Sequence, residues 1–136
     1  MKKLILIAVL IFVAVTTYSQ TLQKGNFVGY HVLTIDLKQN VTMDQYLDMY
    51  KNKLIPALEK NFQGKWYLIK GFGGECENCY GAIVVWKSQA DWNKIWNKEG
   101  GLTELGQTTM DRLKPLLDEL EKLGTVTSKY TDWIVQ

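Results

Sequence analysis

Hydrophobic positions along the chain change period from segment to segment. From Phe27 to Leu37 apolar and β-branched residues occupy both parities, with Phe27, Gly29, His31, Leu33, Ile35 and Leu37 on one side and Val28, Tyr30, Val32, Thr34 and Asp36 on the other. This predicts a long strand with something packed on each face. Lys38-Gln39-Asn40 ends it. From Met43 the spacing becomes helical: Met43, Tyr46, Leu47, Tyr50, Leu54, Leu58 and Phe62 draw one apolar stripe, with lysines and carboxylates opposite. Thr42-Met43-Asp44-Gln45 is a capping box in front of that stripe. Gly64 is placed to end the helix in a left-handed conformation. Pro56, which has no amide donor and crowds the residue-52 carbonyl, predicts a kink.

Lys65 to Phe72 and Tyr80 to Trp86 read as two strands of a hairpin, joined by Gly73-Gly74-Glu75-Cys76-Glu77-Asn78-Cys79. Ser88-Gln89-Ala90-Asp91 opens a short helix with Trp92, Ile95 and Trp96 on one face, stopped by Glu99-Gly100-Gly101. A leucine-rich helical stretch spans 102–123, with an irregularity expected near Gly106 and Pro115 and Gly124 as its closing cap. Thr125 to Val135 is the last strand.

Strand, helix, strand, strand, helix, strand is the order of a ferredoxin-like α+β domain, an antiparallel βαββαβ sheet with both helices on one face. The second sheet face then stays apolar without a cover, which predicts a homodimer whose sheet faces meet. The stretch Leu54-Ile55-Pro56-Ala57-Leu58, running through Phe62-Gln63-Gly64 into a strand, and the strand end Trp86-Lys87-Ser88-Gln89-Ala90-Asp91-Trp92 entering a short helix carry a resemblance. The chain resembles the dimeric α/β barrel superfamily, the antibiotic-biosynthesis-monooxygenase and NIPSNAP-like group, over roughly residues 27–135. The resemblance implies two sheets packed face to face as a barrel and a cleft between each sheet and its helices. It supplies no single function, since members range from cofactor-free oxygenases to haem-degrading enzymes. The haem degraders use a helix-borne His, whereas the one His here lies on the first strand.

The N-terminus changes the expected compartment. Met1-Lys2-Lys3, the apolar run Leu4 to Val15 and the small polar Thr16-Thr17-Tyr18-Ser19 have the order of a signal peptide. Residues 1–19 are therefore expected to be removed, leaving an exported, periplasmic or secreted single domain over 20–136, outside the membrane after cleavage. The run is short of the roughly 20 apolar residues needed to cross a bilayer. With Lys2 and Lys3 gone, the sixteen basic residues of the 136-residue chain become fourteen against fourteen acidic ones. A neutral body offers no electrostatic footprint for nucleic acid. Asn40-Val41-Thr42 matches a glycosylation sequon, although capping already explains Thr42.

Candidate chemistry is sparse. In an exported protein Cys76-Glu77-Asn78-Cys79 reads first as a disulfide closing the hairpin tip, with a metal site or a redox pair as alternatives. Glu75 and Glu77 beside the sulfurs oppose the low thiol pKa that redox work needs. His31 fits either a hydrogen-bonded core position or a weak catalytic candidate lining a cleft. Ser88 is better used as a cap, which leaves Ser128 and makes a Ser-His-Asp hydrolase a poor fit. Gly71-Phe72-Gly73-Gly74 leads to a hairpin rather than a helix, which argues against a phosphate loop. Carboxylates such as Asp44/Asp48 and Asp118/Glu121 lie on solvated helix faces, with Asp118 and Lys122 spaced as an ion pair.

Five Trp and seven Tyr remain. Tyr30, His31, Trp66, Tyr67, Trp86, Tyr130 and Trp133 form the candidate ligand site, an aromatic-lined cleft for a small flat or apolar molecule, with the strands bearing Trp66, Trp86 and Tyr130 expected to be neighbours. No metal and no cofactor is implied. The competing reading is a noncatalytic dimer that binds a protein or glycan through exposed aromatics. A closed pocket holding His31 favours the first; a packed interior with Trp92 and Trp96 on the surface favours the second. No particular reaction follows from these residues.

Overall fold

The computed structural model describes residues 22–76 and 79–136. The expected leader, its cleavage point and the Glu77-Asn78 pair lie outside the described residues. Among those described, no helix is long and apolar enough to cross a membrane.

Four strands, β1 (Phe27–Leu37), β2 (Gly64–Lys70), β3 (Tyr80–Trp86) and β4 (Gly124–Ile134), form one sheet in the order β2-β3-β1-β4, with every pairing antiparallel. With the helices α1 (Met43–Met49), α2 (Ile55–Phe62), α3 (Gln89–Trp92) and α4 (Glu104–Glu121), this is the ferredoxin-like arrangement expected from the element order. It also corrects one expectation. β1 lies between β3 and β4, so Trp66 and Trp86 are on neighbouring strands while Tyr130 and Trp133 are one strand further away.

The capping box forms as its residue types dictate. The Thr42 hydroxyl accepts from the Gln45 amide, and the Gln45 side chain accepts from the Thr42 amide at 2.8 Å. Pro56 does not break the helix that follows. Between α1 and α2 the backbone takes a π-helical turn, Tyr50–Leu54, in which the Ile55 amide donates to the Tyr50 carbonyl. The wider turn sits just ahead of the residue that cannot donate. The left-handed position at the end of α2 falls on Gln63, with φ 55°, while Gly64 begins β2. Gly124 is likewise the first residue of β4 and not a cap: a Cβ there would lie 2.7 Å from the Asp36 carbonyl oxygen, so β1 and β4 can approach only with glycine at this point.

Ser88 caps α3, which is shorter than expected and ends at Trp92. α4 runs unbroken through Pro115, and Gly106 is buried in its first turn. The ion pair on α4 is Lys114 with Asp118 at 2.8 Å, in place of the spacing Asp118–Lys122. Cys76 and Cys79 are joined as a disulfide with their Cα atoms 5.4 Å apart. The Gly71 amide donates to the Cys79 carbonyl at 2.8 Å, closing the hairpin tip.

The core lies between one sheet face and the helices, in two clusters. Leu33 and Ala82 pack with Tyr46, Met49, Tyr50, Leu54 and Leu120. Phe27, Val84 and Trp86 pack with Phe62, Ile95 and Leu113. The opposite sheet face carries the other parity, and the register aligns it in rows. Tyr67, Ile83, Tyr30 and Thr131 form one row across all four strands; Lys65, Val85, Val28 and Trp133 form the next. Tyr30, Tyr67 and Trp133 on this face are 39%, 43% and 60% exposed. Aromatic and β-branched side chains predominate in these two rows, with Lys65 and Thr131 at their ends.

Candidate functional site

The helices do not cover the whole inner face. Every residue of β4 after Gly124 is exposed, and between its inner side, β1 and the α3–α4 region lies an open cavity of about 340 Å³. Its floor is set by strand parity. Gly29 and His31 of β1 face it beside Ser128, Tyr130 and Asp132 of β4, while Val84 and Trp86 of β3 and Trp66 of β2 continue the floor. Phe62 of α2, Trp92 of α3, and Trp96 in the turn after it form much of the opposite wall. A second cavity of about 220 Å³ shares His31, Trp66, Val84 and Ser128 with the first and extends toward Tyr50 in the π-turn.

The aromatic walls are braced by one another. Trp66 and Trp86 meet edge to face, 5.6 Å between ring centroids at 68°, and Phe62 contacts both. Trp92 leans on Phe27 at 5.1 Å. Trp96 is fixed by a β-bridge with Leu102. Ring pairs of this kind hold side chains in place as well as burying area.

His31 is the polar centre. Its ring stacks on Tyr130, directly opposite in the β1–β4 register, with centroids 5.5 Å apart. Nδ1 faces the Ser128 hydroxyl at 3.5 Å. On the other side Nε2 faces the position of Gly29: a Cβ on that residue would be 3.1 Å from His31 Nε2 and 3.2 Å from Asp132 Oδ1. Because Ser128, Tyr130 and Asp132 alternate along β4, all three point to the same side and flank the imidazole. Burial pushes the His31 pKa below its ordinary value, opposed by the nearby Asp132 carboxylate. Asp132, although exposed overall, is partly desolvated in the notch, which raises its pKa, opposed by His31.

Ser128, His31 and Asp132 are thus brought together, which sequence spacing does not reveal. The serine contact is at the outer limit of a hydrogen bond, so the arrangement reads as a polar notch more readily than as an activated nucleophile. No group of three or more His, Cys, Asp or Glu side chains suited to hold a metal occurs among the described residues.

Of the seven residues expected to line one cleft, the structure brings four together: His31, Trp66, Trp86 and Tyr130. Tyr30, Tyr67 and Trp133 have the other parity and lie on the opposite sheet face, so they share no cleft with those four. The sequence reading missed Gly29, Ser128 and Asp132, whose signal was parity: Gly29 is two residues from His31, and Ser128 and Asp132 are each two from Tyr130. Trp92 and Trp96 read as one helix face, but nothing in their spacing shows that the face turns inward.

No protein-family model matches the chain, and no curated protein sequence matches it. Among solved structures it is similar to a mutant form of SnoaB, a cofactor-independent oxygenase from Streptomyces nogalater. The identity is 10%, covering 79% of this chain and 91% of that chain, with a TM-score of 0.47. The ferredoxin-like assignment rests on the strand order.

Proposed function

We propose that this protein is an exported homodimer that binds a small flat or apolar molecule in the cavity between its sheet and helices, with His31 as the polar handle. The observation that carries the reading is the placement of four of the five tryptophans, Trp66, Trp86, Trp92 and Trp96, around an open cavity that also holds the only histidine. Trp86 belongs to the second core cluster and the other three pack against it, yet all four also border unfilled volume. A largely preformed, mostly apolar recess with a few convergent polar groups is the usual form of a small-molecule site. The inward position of Trp92 and Trp96 favours this over recognition of a protein or glycan by exposed aromatics.

The dimer is supported by the exposure of Tyr30 and Trp133 in the rows of the outer sheet face, since large exposed apolar patches mark interfaces. A two-fold axis is the common closed solution. Native mass spectrometry of protein purified from its host tests both parts together. The expected result is a species of twice the mature mass with a small molecule bound to each chain; a bare monomer mass would contradict it.

A further inference from the structure

We propose that the cavity takes an organic cation, a quaternary or tertiary ammonium group seated against the Asp132 carboxylate and the rings of Trp66, Trp86, Trp92, Trp96 and Tyr130. This deepens the ligand-cavity reading above and rests on it.

Charge makes the first argument. Among the described residues, Asp132 is the one carboxylate lining the cavity, and no lysine or arginine lines it. This is not a consequence of composition, because the chain has sixteen basic residues against fourteen acidic ones. The lining therefore carries one formal negative charge, in a chain whose formal net charge is +2. An anionic molecule would meet the Asp132 carboxylate with only the His31 imidazole to offset the repulsion, whereas a cation supplies a countercharge to it.

Ring geometry makes the second. Aromatic faces are electron-rich, and indole attracts a cation more strongly than phenol or benzene does. The four tryptophans come from separate elements, β2, β3, α3 and the turn after α3, so they stand on different sides of the volume. Trp66 and Trp86 meet edge to face at 68°, so their planes form a corner and the contact takes a face of only one of the two. Several indoles and a tyrosine around a recess that one carboxylate also lines form a cage for an alkylammonium group.

The test compares choline with 3,3-dimethylbutan-1-ol, the alcohol in which carbon replaces the ammonium nitrogen, by tryptophan fluorescence titration of the mature protein. 2-Naphthol serves as a neutral flat probe. Choline is expected to bind at least tenfold more tightly than its neutral isostere. Asp132→Asn should weaken choline by about tenfold, equivalent to about 1.4 kcal/mol, and leave the isostere unchanged. Trp92→Leu, which keeps the carboxylate, should also weaken choline. Equal binding of choline and its isostere would overturn the proposal, as would binding of 2-naphthol without choline; the second result leaves the ligand cavity standing. Failure of all three probes would remove both readings.

Discussion

The His31 imidazole and the Asp132 carboxylate face each other across Gly29 on adjacent strands, close enough that a methyl group on Gly29 would stand 3.1 Å from Nε2 and 3.2 Å from Oδ1. The notch exists because three positions coincide. Gly29 pairs with Asp132, His31 pairs with Tyr130 in the next inward-facing row, and the imidazole reaches back diagonally over the glycine. Its value to a ligand is that a donor and an acceptor converge where no side chain intrudes.

Replacing Gly29 with alanine should close that notch without unfolding the protein. Both neighbouring atoms are ends of side chains and can move by a few tenths of an ångström, and alanine in a strand gains about 0.5–1 kcal/mol over glycine from lost unfolded-state freedom. The expected outcome is a melting temperature unchanged or raised, with affinity for a cavity ligand reduced about tenfold. Calorimetric titration beside a thermal melt separates the two effects.

His31 should make stability fall on mild acidification. Burial holds its pKa in the folded state below the ordinary 6.5, so the unfolded chain takes up a proton first as pH drops. The folded state keeps its full advantage above the unfolded value and loses it as pH falls toward the folded one. Asp132, raised above its ordinary 3.8, acts in the opposite sense at lower pH: stability returns as the folded carboxyl takes up its proton before the unfolded one. Melting temperatures from about pH 7.5 to about pH 5.5 should decline in the wild type, with a smaller slope in His31→Gln.

Tyr46 offers a stability prediction away from the cavity. Its side chain is fully buried, its hydroxyl has no hydrogen-bond partner among the described residues, and burial with the neighbouring Tyr50 pushes its pKa up to about 12. A buried hydroxyl without a partner costs about 1–3 kcal/mol. Tyr46→Phe should therefore raise the denaturation midpoint by an amount equivalent to about 1 kcal/mol, measured in urea with the slope of the transition unchanged.

The outer sheet face should govern oligomeric state. Tyr30 sits on the central strand β1, in the row that includes Tyr67 and Ile83. Sedimentation equilibrium at micromolar protein should give a dimer for the wild type and a monomer for Tyr30→Glu, with far-ultraviolet circular dichroism unchanged. Buried apolar area in such an interface contributes about 25 cal/mol per Å², and a charge at its centre removes that gain locally.

Much of the fold was legible because its signals are local. The capping box at Thr42 and Gln45, the Ser88 cap and the alternation of β1 each depend on neighbouring residues, and each formed where expected. The left-handed position went to Gln63 instead of Gly64, and glycine at 124 answers a strand approach from Asp36 that no local pattern carries. The site was half legible for the same reason. Aromatic content pointed to Trp66, Trp86 and Tyr130, but separating them from Tyr67 and Trp133 needs the strand register. Asp132 joins His31 only through the pairing of strands a hundred residues apart in sequence.

Tryptophan placement supplies the most direct test of the cavity, because Trp133 lies on the opposite sheet face from the other four. In a ¹⁵N-correlated spectrum of the mature protein titrated with 2-naphthol, the indole N–H signals of Trp66, Trp86, Trp92 and Trp96 should shift together to saturation. The signal of Trp133, identified by its loss in Trp133→Phe, should stay in place. Movement of Trp133 with the other four stationary, or no movement of any of the five at saturating probe, would contradict a ligand site between the sheet and the helices.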